Sequence, residues 1–395
     1  MKQTVTMSLL LFLLVVSAEC GRGTVRREKK PIPELSLDTE RELVRYIREH
    51  RQTPEDYIVG KFTEYDIVFV GEFHRIKHDV ELIHGLIPRL YAAGVRNIGI
   101  EFGAYEYQGL VDSLVTADEY DEDLARWIMF KHFVAWGYKE YIDIYRKAWE
   151  FNRTLGENEP PFRIVNLNYR PDWTYRQEKM TRDLWKKVWH KGSGDKHMVD
   201  VIFREFVDRG EKALIYSGMH HAFTHYQQPV YNFEKKKFIR FEKERMGNIV
   251  HDRIPGRVFC IFLHSPWGSA EGISANNYPI HGVIDRVMSH FKDTPVGSDV
   301  KGSPFGALHD NSAYYALGYD DFTLSTYCDG YIYQKPFSEY EGCTVDPLFI
   351  TEDNIGEAVA NLPNPAARKY MKDPATFIDA MKHDADMKRR FDNLE

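Results

Sequence analysis

Three short segments carry residue types that can activate water or hold a metal ion. They are Gly71-Glu72-Phe73-His74, Glu101 after Gly99-Ile100, and Ser217-Gly218-Met219-His220-His221. A histidine near neutral pH can take a proton from water, and a carboxylate beside it can orient the ring and stabilise its charged form. The same residue types bind divalent metals. The competing reading of the first segment is that Glu72 caps a following helix and His74 lies on the surface. Gly71 is expected to let the chain turn sharply after a strand. A carboxylate as close to apolar strand residues as Glu101 needs a partner or its pKa rises. That partner is either a group from the first strand or an arginine such as Arg96 or Arg170.

Three histidines, His220, His221 and His225, fall within one six-residue window, 220–225, shortly after one proposed strand end. His221 is the preferred site member, and a polar loop accounts equally for His220 and His225. His264 and His281 are weaker candidates. His78 lies one helical turn after His74. No glutamate follows His74 as in the His-Glu-x-x-His pattern of zinc proteases, so His78, like His84, reads as part of a solvated helix face.

Apolar runs at 65–70, 97–100, 162–167, 212–217 and 257–263 would position these residues, each with a polar residue at its end or just beyond a terminating glycine. Between them lie segments with helical periodicity, at 76–92, 105–152, 173–190 and 196–209. The alternation predicts a three-layer α/β fold, a mostly parallel sheet with helices on both faces. In such sheets ligands bind outside the carboxyl ends of the strands. Those ends carry Glu72 and His74, Glu101, Asn166 and Asn168, His220 and His221, and His264. The stretch 105–152 is too long for a simple crossover and reads as a helical insert over the site, with a break at Gly137. Residues 265–330 read mainly as loops with a helix near 281–291, and 329–333 as a last strand. The domain is expected over 37–345, followed by a helical C-terminal tail over 346–395.

The amino end has a different character. Lys2 precedes an apolar run over 9–16, shorter than the roughly 20 residues that span a bilayer. With Val16-Ser17-Ala18 it reads as a signal peptide over 1–18. Cys20 offers a lipoprotein reading, although Glu19 stands where a small residue is usual. Export is expected either way, to the periplasm, the exterior or a membrane anchored through a lipid on Cys20. Residues 19–36 read as a linker. Cys328 and Cys343 could pair in an oxidising compartment, and Cys260 reads as a buried thiol. The net charge of −7, with both signs interspersed, provides no basic footprint for nucleic acid.

At these residues the chain resembles the group that includes ChaN-type haem-binding lipoproteins, erythromycin esterases and Tiki/TraB proteins. The shared pattern is a strand, Gly-Glu-x-His, a helix, a strand ending in Glu, and a later Gly-x-x-His element. Gln108, Tyr138, Tyr141, Tyr145 and Asn166 add a ChaN-like stretch. The resemblance spans roughly 60–226 and implies an α/β fold with its site at the strand ends. It implies one of three activities: water activation in an esterase, metal-dependent proteolysis, or haem and iron handling without catalysis. Arg75-Ile76-Lys77 departs from the small residues that often follow the first histidine in the esterases. A hydrolase is the leading expectation, with His74 as general base, Glu72 orienting it, and Glu101 and His221 holding water or substrate. If a divalent metal is bound, His74, Glu101, His221 and His220 are its expected ligands. The alternative is haem held by His or Tyr. The expected partners are a small-molecule or peptide substrate, or haem.

Overall fold

A computed structural model describes residues 35–394. The proposed leader, Cys20 and most of the proposed linker lie outside the described residues. Seven strands form the central sheet: β1 Ile67–Glu72, β2 Asn97–Ala104, β3 Arg163–Asn168, β4 Ala213–Gly218, β5 Val258–Leu263, β6 Val296–Asp299 and β7 Gly330–Tyr333. Their spatial order is β6-β7-β5-β1-β4-β2-β3. Every pairing is parallel except that of the edge strand β6 with β7.

The apolar runs are continuous because both faces of the sheet are covered. Val68 and Val70 of β1 enter one core with the helices Pro54–Lys61, Lys77–Ala92 and Lys139–Asn152. Ile67 and Phe69 enter a second core with Leu37–His50, Gly194–Glu205, Met246–Arg253 and Val283–Ser289. This is the expected three-layer α/β fold. The helical insert lies between β2 and β3 as Gln108–Leu114, Glu122–His132 and Lys139–Asn152. Phe377 and Met381 of the C-terminal helix Pro374–Ala385 join the first core. No described helix is long and apolar enough to cross a membrane.

Several local expectations fail for physical reasons. Gly71 is not a turn. It lies inside β1, where a Cβ would come within 2.4 Å of the Phe262 ring, so close packing accounts for its lack of a side chain. The backbone reverses instead at Arg75, a non-glycine residue with φ of 74°. Cys328 and Cys343 are free thiols, because they lie in the two different cores on either side of the sheet. Cys260 is a buried thiol as expected. The supposed loops of 265–330 contain β6 and the hairpin Trp267–Ser269 with Gly272–Asn277. His78 and His84 are not on a solvated face. His78 is buried, and His84 Nε2 lies 2.8 Å from the Glu140 carbonyl. Burial lowers both, to about 3 and about 4.

Candidate functional site

Because β1, β2 and β4 run parallel, their carboxyl ends meet along one rim of the sheet. Glu72 is level with Gly218 across the β1–β4 pairing. Glu72 is fully buried, yet three donors satisfy it. Oε1 accepts from His74 Nδ1 at 2.8 Å and from the Tyr141 hydroxyl at 2.5 Å. Oε2 accepts from the Tyr216 hydroxyl. Burial first, then the nearby Glu72 charge, raises both phenols well above their usual range, so they stay protonated and keep donating. Glu72 does not cap the next helix, whose N-cap residue Ile76 makes no side-chain bond.

With Nδ1 tied to Glu72, His74 presents Nε2 to the rim. The ring stands nearly perpendicular to Phe102 and Trp136, and its side chain is 25% exposed. Nε2 lies directly over Gly218, where a Cβ would sit 2.7 Å from it.

Glu101 lies where β2 loses register with β3, between Ile100 and Ala104. Irregularities of this kind re-aim side chains. Its Oε2 accepts from the Gly218 N–H at 2.7 Å, and its Oε1 lies 3.2 Å from His221 Nε2. The partner therefore comes from β4 and the turn after it, not from Arg96, Arg170 or the first strand. Burial alone would raise the Glu101 pKa. The His221 charge and hydrogen bond, the His74 charge and the Gly218 N–H overcome this and hold it at about 2.

His221 Nδ1 is 2.6 Å from Asp195 Oδ1. Burial works against its charge, but Glu101 and Asp195 prevail and push it up to about 10. Burial would likewise raise Asp195. His221, then Arg245 and the Met246 N–H, lower it instead. His221 is thus an imidazolium clamped between two carboxylates, with no lone pair to offer at neutral pH. His220 is the opposite case. Burial, then the charges of Arg245, His221 and His74, hold it well below its usual value. Its Nε2 is 3.4 Å from the Tyr315 hydroxyl.

The structure therefore brings Glu72, His74, Glu101 and His221 to one rim. Among the described residues, no three or more His, Cys, Asp or Glu side chains are placed to hold a metal ion. His221 directs one ring nitrogen to Asp195 and the other to Glu101, so His74, Glu101, His221 and His220 are not gathered around one ion position. The tyrosines behind the haem expectation are core residues. Tyr138, Tyr141 and Tyr145 are fully buried, and their hydroxyls are engaged by Met381 and Arg75, by Glu72 and Arg75, and by Asn166. Gln108 bridges the backbone of Ile164 and Asn166, so this ChaN-like stretch braces β3. His264 is buried between Tyr331 and Asp285, and His281 pairs with Asp310. Neither touches the cluster.

Sequence reasoning missed Asp195, Tyr216 and Trp136. Asp195 had no strand end to mark it, and Tyr216 read as one more apolar strand residue. Gly218 has a role the motif did not reveal. In Gly218→Ala the methyl would fall 2.4 Å from His74 Cε1. The ring must then move off its bond to Glu72, and we expect a loss of ~1 kcal/mol from overpacking, read by urea denaturation. Unchanged stability and an unchanged His74 NMR signal would rule out that close approach.

No family model matches the chain, and no curated protein is significantly similar to it. It is similar to several solved structures. A Bacillus cereus protein shares 10% identity at a TM-score of 0.48, over 80% of this chain and 100% of that one. A mutant of the erythromycin esterase EreC in its open conformation shares 11% at 0.44, over 70% and 91%. ChaN of Campylobacter jejuni with cofacially bound haem shares 13% at 0.34, over 54% and 88%.

Proposed function

We propose that the chain is a hydrolase in which His74 acts as general base on a water molecule. One observation carries the reading. A partly exposed imidazole is fixed through Nδ1 by a buried carboxylate, and its other nitrogen faces a second, ionised carboxylate across a glycine. The Glu72 charge stabilises the imidazolium that forms when Nε2 takes a proton. Glu101 provides an acceptor that can orient the same water. In the reaction, water loses a proton to His74 Nε2 and its oxygen adds to an acyl carbon. The tetrahedral adduct then collapses, and His74 returns the proton to the leaving oxygen or nitrogen. His221, already protonated, does not serve as a base. It holds Glu101 in place by charge.

The expected substrate is a small ester, lactone or peptide met after export, in keeping with the leader-like run at 9–16. The test pairs a hydrolysis panel of esters, lactones and short peptides with a haem titration. The expected result is turnover of at least one ester or lactone with no Soret shift. A stoichiometric Soret shift with no turnover would replace this reading with haem binding.

A further inference from the structure

Two neighbouring guanidinium groups, Arg75 and Arg390, pack on the rings of Trp136 and Phe73, and neither is held by a carboxylate. Arg75 Cζ is 4.7 Å from the centre of the Trp136 ring, the same indole that stands 5.0 Å from the His74 ring. Arg75 Nε donates to the Tyr138 hydroxyl at 2.9 Å. Arg390 Cζ lies 4.6 Å from the centre of the Phe73 ring, and its Nη1 donates to the Asp384 carbonyl at 3.3 Å. Arg75 therefore stacks on the indole that packs against His74, and Arg390 on the ring of the residue that precedes His74 in sequence. Both are partly buried, and among the described residues neither has a carboxylate oxygen within 4.0 Å.

That arrangement is costly unless something completes it. Charges withdrawn from water are normally paired. Arg245, on the other side of the site, is opposed by Asp195 at 3.5 Å. Here the acidic group whose field reaches both arginines is Asp384, outside ion-pair distance of each. Its Oδ2 is buried without a hydrogen-bond partner, and one carboxyl cannot offset two guanidinium charges. Burial and the Arg75 charge also lower Arg390 to about 10, as expected for neighbouring cations. The backbone of Arg75 is in the left-handed region, a strained conformation for a non-glycine residue. A planar guanidinium fork matches the oxygens of a carboxylate or phosphate.

We propose that Arg75 and Arg390 form an anion-recognition subsite beside His74, so that the substrate carries a carboxylate or phosphate close to its scissile bond. The term substrate rests on the hydrolase reading, whereas the anion site does not. Calorimetric titration of the full chain at low ionic strength, with inorganic phosphate in one arm and acetate in the other, separates the two chemistries. Tighter phosphate binding assigns a phosphorylated substrate, and comparable binding assigns a carboxylate.

In Arg390→Gln either affinity is expected to fall about tenfold, the worth of one charge-assisted hydrogen bond. Arg390→Lys keeps the charge without the fork and should fall between. It serves as the decisive variant if Arg390→Gln proves misfolded by circular dichroism. No binding of either anion to the wild type, or an affinity in both variants equal to wild type, overturns the subsite. With a turned-over ester, the preference of kcat/KM for an anionic over a matched neutral substrate should drop in the same proportion. If no ester is turned over, the hydrolase reading falls and the titrations still decide the subsite.

Discussion

In His74→Ala, kcat/KM for the best ester or lactone is expected to fall ~10³-fold, within the range that a positioned general base contributes. The alanine variant keeps Glu72 and its two tyrosine donors, so the fold should survive and the loss should lie in the chemical step. Glu72→Gln removes the charge that stabilises the imidazolium but leaves a side chain of the same shape for Tyr141 and Tyr216. It too should lower kcat strongly. Because both residues act through one proton transfer, the double variant should be little worse than His74→Ala alone. Steady-state kinetics on the three variants, with circular dichroism as the folding control, checks this. A drop of less than about tenfold in His74→Ala is below what a general base supplies and would remove His74 from the role.

The second large effect is on stability. His221→Gln leaves Glu101 and Asp195 facing each other without the cation between them. Breaking a buried ionic arrangement by removing one partner costs ~3 kcal/mol. The pH dependence has a definite sign. His221 has a folded value of about 10 against ~6.5 unfolded. Its contribution is fully present below ~6.5 and is lost as pH rises through about 10. Glu101, held at about 2, contributes above its unfolded value near ~4.3, and this is lost as pH falls through about 2. Asp195, also lowered, has the same sign. The penalty in His221→Gln should therefore be largest near pH ~6 and shrink toward pH ~10. Urea denaturation of both proteins across that range reads it directly. A pH-independent difference would mean that His221 is not charged in the folded protein.

The alternation of apolar runs with helical periodicity was enough to locate β1 to β5 and the main helices between β1 and β4, because strands buried on both faces have almost continuous apolar sequence, but the helix Met246–Arg253 before β5 was not foreseen. β6 escaped because Val296–Asp299 is a short edge strand within a Gly- and Ser-rich stretch. It owes its place to pairing with β7, which no local pattern announces. Glu72, His74, Glu101 and His221 were legible because each follows an apolar run. Their partners were not. Asp195 begins a helix far away in sequence, and only the fold carries it to His221. The helical spacing of His78 is real, but spacing alone does not distinguish a face that meets solvent from one packed under Tyr340. Gly71 was misread because a glycine needed for close packing and one needed for a turn look identical in sequence.

Glu72 also constrains the order in which the chain can reach its native state. Its donors arrive from 69 and 144 residues away. Until the segments bearing Tyr141 and Tyr216 are in place, stripping water from the carboxylate is unfavourable. The innermost strand therefore cannot finish desolvating its carboxyl end early in folding. It must wait for long-range closures, which are slow to form. A partly folded chain keeps Glu72 hydrated and lacks the fixed His74. The fixed His74–Glu72 pair should then appear together with the last cooperative step of folding, so no compact intermediate displays the finished rim before the sheet is complete.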